Sequence, residues 1–517
     1  MPKEPLAFIK KRWPVLLFLL IVVVSIPIIA NKMETNDQHF LKNKPKVDTT
    51  QWVQFTINGY PQSMDLYQNH IWYETPMLTT EQDTKVSVGN FSGYDITVNG
   101  KPIQPNGTVS FRLEKLLKSQ SIKIELKDVN TGDIRDEYVR TLPGSYEGGE
   151  VVSNRPQKGV YYFNADNYIY KMDTAGNILF FKSVLPEFNS AGGNDFKRTE
   201  IDGKVWYSYL EAGTSENHPD LAGVDYGCMK AVVMDENYNE VDKIFSLVPN
   251  GSVTEGQPLD NHQFTILGDH HYLLSSYVGK RVDNIPSSVT HSKFGARVVA
   301  AVIQEVQNGK VLFQWDSTEH PELYGMSVRN YDYTNKNNYW ADYLHFTSLA
   351  VDPADGNLIC SFQNADAVVK IDRKTGATLW VLGGKNDQFG LTSAQKFSNP
   401  NDVRVGDDGS LTVFSGGDPH GKPKAVGTAV YTFRLDENGK RVVSCQSYSV
   451  DGAVSSSMGG AQEIGDGTYT VCWGERKTAL PLFSEIDFKT NQVLFEFVKP
   501  ATDKKESNAY RVYKFNK

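Results

Sequence analysis

From about residue 146 onward the chain repeats itself, and that repetition constrains its fold more than any other feature. A unit of roughly 40–55 residues recurs, which is the period of a β-propeller blade. Its clearest copy is "HFTSLAVDPADGNLICSFQNADAVVKIDRKTGATLWVLGG", His345 to Gly384. Four strands can be read in it: an inner strand, a second after the D-G turn, "AVVKID" and, beyond "RKTG", "ATLWVL". Weaker copies begin near Gly159, Val205, His262, Asn401 and Gly460, which brings the blades to six. One four-stranded blade cannot bury both of its faces alone, so the units must close into a single cooperative ring. The final "AYRVYKFNK" alternates like a strand and is placed to pair with the first blade.

Ahead of the repeats, short alternating stretches such as "KVSVGNF", "DITVNGKPI" and "IKIEL" predict a small β-sandwich over 51–145. Asn99-Gly100 between two of them is a hairpin signal, because both residues tolerate positive φ. The 42 Gly, 26 Tyr and 26 Phe fit such turn-rich β-structure. The expected fold is therefore all-β: a six-bladed β-propeller over 146–517 after a sandwich, with an N-terminal transmembrane anchor. The anchor is the uncharged run Trp13 to Ala30, which follows Lys10, Lys11 and Arg12. At about 1.5 Å per residue it spans roughly 27 Å, close to a bilayer's hydrocarbon thickness. The basic cluster makes 1–12 a cytoplasmic tail and leaves the rest of the chain outside the cell membrane. A cleaved signal peptide is the alternative, although the run is longer than usual and its end, Ile28-Ile29-Ala30, lacks the A-x-A pattern. Residues 31–50 form a polar stalk.

A net charge of −8, from 53 basic and 61 acidic side chains, gives no electrostatic reason to expect nucleic acid as a partner. Cys228, Cys360, Cys445 and Cys472 are too widely spaced for a metal or redox motif. One disulfide, Cys445 to Cys472, is possible outside the membrane, and buried thiols are the alternative.

In a propeller the innermost strands line a central channel, so corresponding positions of successive blades face one axis. His262, His345 and Asn401 each open the inner strand of their unit. Three polar side chains remote in sequence are thereby expected to converge. A single histidine at a strand start would more simply cap the backbone or bond within the core; two at equivalent positions point to a site. No H-x-x-x-H, Cys pair or matching carboxylate suggests a metal. His270 and His271, beside the Gly268-Asp269 turn, read as surface residues. Asp352, Asp355 and the D-G pairs at 408 and 466 read as turn chemistry.

At these residues the sequence resembles the bacterial arylsulfotransferase family, which moves sulfate between phenols without a nucleotide donor. "YVRTLP", Tyr138 to Pro143, is similar to the family's link between sandwich and propeller. "HFTSLAVDPADGNLICSFQNADAVVKID" with "LWVLGGKNDQF" resembles its central blades, and "GGAQEIGDGTYTVCWGE" its last. The resemblance implies ping-pong transfer through a sulfated histidine, from an aryl sulfate to a phenolic acceptor, with no metal or organic cofactor. It makes His262 and His345 the catalytic candidates. Asn401, Gln363 and Thr347 become substrate-binding candidates, standing where the family has its nucleophilic His, a site Arg and an Asn. A carboxamide is no nucleophile at ordinary pH. Three readings follow: an enzyme whose nucleophile has moved to His262 or His345 (or to His420 or His291), a propeller that binds an anionic or phenolic ligand without turnover, and an anchored scaffold using rim insertions such as Thr318 to Tyr343.

Overall fold

The computed structural model describes residues 55–57, 60–61, 63–67, 70–75, 82–89, 93–113, 121–141 and 150–153. From 155 to 516 it describes all but loop segments such as 185–191, 214–220, 222–226, 290–294, 334–339, 418–426, 476–480 and 499–507. The tail, anchor and stalk read from the sequence lie outside these residues, as do His291 and His420. Among the described residues no helix is long and apolar enough to cross a membrane. Residues 55–88 and 93–517 form one compact unit; 1–54 with 89–92 form another, of which only Gly89 is described.

The protein is all-β. Its N-terminal strands make a four-stranded and a six-stranded sheet. In the larger one, Ile122, Ile124 and Leu126 are buried while Lys123 and Glu125 are partly exposed, the period-2 alternation of a sheet with one buried face. Asn99 and Gly100 take φ of 48° and 75°, and the strands on either side pair Val98 with Lys101, so the hairpin forms where the sequence predicts it.

From Glu150 the described strands form six antiparallel sheets, five of four strands and one of five, in a propeller-like arrangement. Several strands in the middle of their sheets are buried throughout, as in Met229–Met234, Leu358–Phe362 and Ala367–Ile371, the pattern of strands covered on both faces. Outer strands such as Arg441–Ser449 face water. The chain ends meet twice. Val512–Phe515 pairs with Val160–Ala165 as the sequence suggests, and Glu150–Ser153 adds an outer strand to the last sheet through Val151 and Phe497. The second sheet starts earlier than expected, at Asn194–Ile201, and Val205 lies in its next strand. "NDFKRTEI" is too polar to suggest a core strand, yet it has the innermost place in its sheet.

Of the insertion around Thr318 to Tyr343, residues 330–332 and 334–339 lie outside the described residues. Ser317–Glu319 and Pro321–Met326 form 3-10 turns, and Leu323, Tyr324, Met326, Tyr333 and Tyr343 join the core cluster containing Trp315 and Phe346. The Tyr343 hydroxyl donates to Ser317 Oγ at 2.7 Å. All four cysteines are thiols, so Cys445 and Cys472 form no disulfide. Cys472 is buried, and its Sγ is bonded to the Ala509 carbonyl at 3.3 Å.

Candidate active site

The inner strands meet around one buried cation. Arg511, just before the last strand, is 1% exposed and gathers backbone from three sheets. Its Nη1 donates to the His262 carbonyl at 3.0 Å, and its Nη2 to the carbonyls of Thr347 at 2.8 Å and Asn401 at 3.1 Å. Nη1 also reaches Asp195 at 3.1 Å and Gln263 Oε1 at 3.0 Å, and Nε lies 3.4 Å from Asp402. A guanidinium suits this position because its planar fork can serve several acceptors at once. The backbones of His262, Thr347 and Asn401 therefore do come together.

The strand register refines the repeat alignment. His345 and Asn399 both take left-handed backbone, with φ of 51° and 55°, one residue before Phe346–Val351 and Pro400–Val405. Each carbonyl accepts from the corresponding backbone N–H of its sheet, Gln363 at 2.8 Å and Gly416 at 2.9 Å. Asn399 is thus the counterpart of His345, and Asn401 that of Thr347. Sequence spacing cannot show this, because each inner strand carries a register shift between its first and third residues.

His262 and His345 form a pair, ring centroids 5.3 Å apart and edge to face. Their side chains are 14% and 24% exposed. Tyr277 touches both, stacked on His345 at 5.4 Å and edge-on to His262 at 5.7 Å. Its hydroxyl is bonded to the Phe346 carbonyl, and it can only donate there, so the 3.2 Å contact with His262 is a donation from Nδ1–H to the tyrosine oxygen. That fixes neutral His262 with its lone pair on Nε2. Asp260 supports it, accepting from the His262 backbone N–H at 2.6 Å and lying 3.6 Å from Nδ1. His345 Nδ1 meets Asp342 at 2.5 Å, and the same carboxylate accepts its backbone N–H at 3.0 Å.

These surroundings push the two imidazoles in opposite directions. Burial lowers the pKa of His262, and the charges of His345 and Arg511 add to that, outweighing Asp260. Burial also works against His345, but the Asp342 carboxylate overcomes it, helped by Asp260, and its pKa is raised. The pair is therefore split, with His262 shifted toward the neutral ring that suits a nucleophile or base and His345 toward the imidazolium that suits a donor or acid.

The remaining candidates play different parts. Asn401 is 4% exposed, and its Nδ2 is a buried donor with no protein partner among the described residues. Thr347 has its hydroxyl committed to the Pro400 carbonyl at 2.8 Å. Gln363 opens the 3-10 turn Gln363–Ala365 beside His345. His270 is exposed, whereas His271 is not a free surface residue: it is 20% exposed and bonded to Glu305 at 2.7 Å. Asp352 and Asp408 accept turn N–H groups from Ala354 and Ser410, as expected. Asp260, Asp342, Tyr277 and Arg511 were not anticipated. A carboxylate two or three residues before each site histidine, in "DNH" and "DYLH", was the available signal. Among the described residues no group of three or more His, Cys, Asp or Glu is placed to hold a metal ion. A cavity of about 660 Å³ is lined by neither histidine; Thr265, Leu349, Val403 and Arg404, further along the same inner strands, line it.

Residues 150–511 match the family model described as arylsulfotransferase (ASST). The chain belongs to the arylsulfotransferase family. Membership supports a sulfotransferase-like function for this arylsulfotransferase-family protein. No curated protein sequence matches it. Among solved structures, a protein of unknown function from Bacteroides caccae is 12% identical over 70% of this chain and 100% of its own, with a TM-score of 0.39. A quinonprotein alcohol dehydrogenase-like protein from Bacteroides thetaiotaomicron is 13% identical over 87% of this chain and 97% of its own, with a TM-score of 0.36. The β-propeller domain of Cps50 (Swd1) from Myceliophteria thermophila is 8% identical over 70% and 88%, with a TM-score of 0.36. Likenesses this distant carry no argument about function.

Proposed function

We propose that the protein is a six-bladed aryl-sulfate sulfotransferase, anchored by residues 13–30 with its folded part outside the cytoplasm, that works by ping-pong transfer through His262. The observation supporting this is the His262–His345 pair, 5.3 Å apart and polarised in opposite directions by its surroundings. The Nε2 lone pair of His262 attacks sulfur, and the S–O bond to the aryl group breaks with its electron pair leaving on the phenolic oxygen. The His345 imidazolium, held by Asp342, gives its proton to that oxygen and becomes neutral. A second phenol then attacks the sulfuryl group while neutral His345 takes its proton. The S–N bond breaks, restoring His262. Neutral imidazole is a competent nucleophile near neutral pH, and the cycle needs no metal or organic cofactor. Asn401 Nδ2, left without a protein acceptor, supplies a donor for a sulfuryl oxygen.

The test uses the full chain in detergent, a chromogenic aryl sulfate and a second phenol. Acceptor-dependent phenolate release is expected, with one sulfuryl group retained on the wild type by intact mass and none on His262→Ala. Retention by His262→Ala but not by His345→Ala would exchange the two roles. Binding of the aryl sulfate without release would favour the second reading, a receptor that kept the fold and lost the reaction. The carboxamide of Asn401 at the position of the family's nucleophile supports that alternative.

A further inference from the structure

The resemblance puts Gln363, which carries no charge, where the family has its site arginine. Another guanidinium reaches the same corner from a different part of the chain. Arg329 lies in the segment that follows Pro321–Met326, and its Nε donates to Asn364 Oδ1 at 3.2 Å. Asn364 in turn donates from Nδ2 to the Asp342 carbonyl at 2.7 Å and from its backbone N–H to the Leu344 carbonyl at 2.8 Å. Gln363 N–H meets the His345 carbonyl at 2.8 Å. Arg329 is therefore tied by two short hydrogen-bonded links to the backbone that carries Asp342 and His345. Val328 N–H to the Asn364 carbonyl at 2.8 Å fixes the segment itself.

Arg329 is partly buried, and no carboxylate pairs with it among the described residues. Asp342 is engaged by His345, Asp195 by Lys197 and Arg511, and Asp402 by Arg404 and Arg511, while Asp260 accepts from the His262 backbone through one oxygen. The charge of Arg329 is felt at His345, where it opposes protonation. With Nε held by Asn364 and no side-chain partner for the Nη groups among the described residues, those two groups can form the fork that recognises a planar pair of anionic oxygens.

We propose that Arg329 binds the anionic end of a sulfate monoester at the histidine pair, in place of the arginine missing at Gln363. This rests on the transferase reading for its ligand, but it is tested by binding rather than turnover. The full chain in detergent is titrated, without acceptor, with phenyl sulfate and separately with phenol. Arg329→Gln should weaken binding of the sulfate ester by about 10- to 100-fold, the range for a charged hydrogen bond. Its affinity for the neutral phenol should stay within about twofold, because the guanidinium has no anion to meet there. Arg329→Lys should recover part of the loss. Equal weakening for both ligands, or for neither, overturns the assignment, and unchanged circular dichroism separates it from misfolding. Wild-type turnover with no ester-selective loss in Arg329→Gln sinks Arg329 and keeps the transferase. Ester binding that needs Arg329 but never leads to transfer keeps the anion site and sinks the transferase. A wild type that binds neither ligand overturns both.

Discussion

Replacing Arg511 with Met removes the cation that three inner strands share. Arg511 and Asp195 are each 1% exposed, so solvent screens little of their interaction. Stranding a buried carboxylate by deleting its partner costs about 3–5 kcal/mol. The substitution also strips a donor from the carbonyls of His262, Thr347 and Asn401, each about 1–3 kcal/mol if left dry. Local relaxation and entering water recover part of this, and Lys197 still faces Asp195 at 2.5 Å. A net loss of about 6 kcal/mol is expected, comparable with the whole stability of many domains, about 5–15 kcal/mol. Arg511→Lys keeps the charge but not the fork and should lose about half as much. Urea unfolding followed by the fluorescence of buried Trp315, Trp380 and Trp473 measures both. A loss below about 1 kcal/mol for Arg511→Met, the size of an ordinary surface change, would refute the idea that this residue pins the ring.

Activity should follow a bell-shaped pH profile, with the acid limb below about 6.5 as His262 gains its proton and the alkaline limb above it as His345 loses its own. Stability should follow the same signs: the contribution of His345 is complete below about 6.5 and fades as pH rises through its raised pKa, while that of His262 holds above 6.5 and fades as pH falls through its lowered one. Chemical denaturation across pH 5 to 9 checks this, and two limbs on the same side of 6.5 would contradict it. Asp342→Asn keeps an acceptor for Nδ1–H but removes the charge, so the alkaline limb should move to lower pH, and the acid limb slightly to higher pH as His262 loses the neighbouring charge that depresses it; a pH–rate series decides. Asn401→His with Gln363→Arg should create or raise transfer if the ring fits over Gly416, where even a Cβ would lie 2.8 Å from Asn401 Nδ2. Acceptor-dependent phenolate release in the folded double variant is the readout. Gly416→Ala itself should lower the melting temperature, since that Cβ would also meet the Ser455 carbonyl at 2.5 Å and Asn399 Nδ2 at 2.7 Å.

Local rules were enough for a good part of this molecule. Asn99-Gly100 makes its hairpin, the terminal "VYKF" closes on the first sheet of the ring, and the repeat brings the backbones of His262 and Asn401 to one place. Each of these depends on φ preferences, alternation or period, which are properties of the chain itself. The polar "NDFKRTEI" hid an inner strand because its buried charges are paired inside the protein, Asp195 with Lys197 and Arg511, while Phe196 joins the core. The Tyr-rich insertion hid a buried cluster because polarity alone cannot tell a rim from an aromatic layer whose hydroxyls find partners. Only the tertiary structure set the pairing of His345 with Asn399, since register shifts alter the count between hydrogen-bonded partners without altering the sequence spacing. It also decided which imidazole is shifted toward its neutral form and which toward its charged one. Asp342, Tyr277, Arg329 and Arg511 come from four separate segments, and an imidazole's pKa follows the charges and burial that folding brings to it, not its neighbours in the chain.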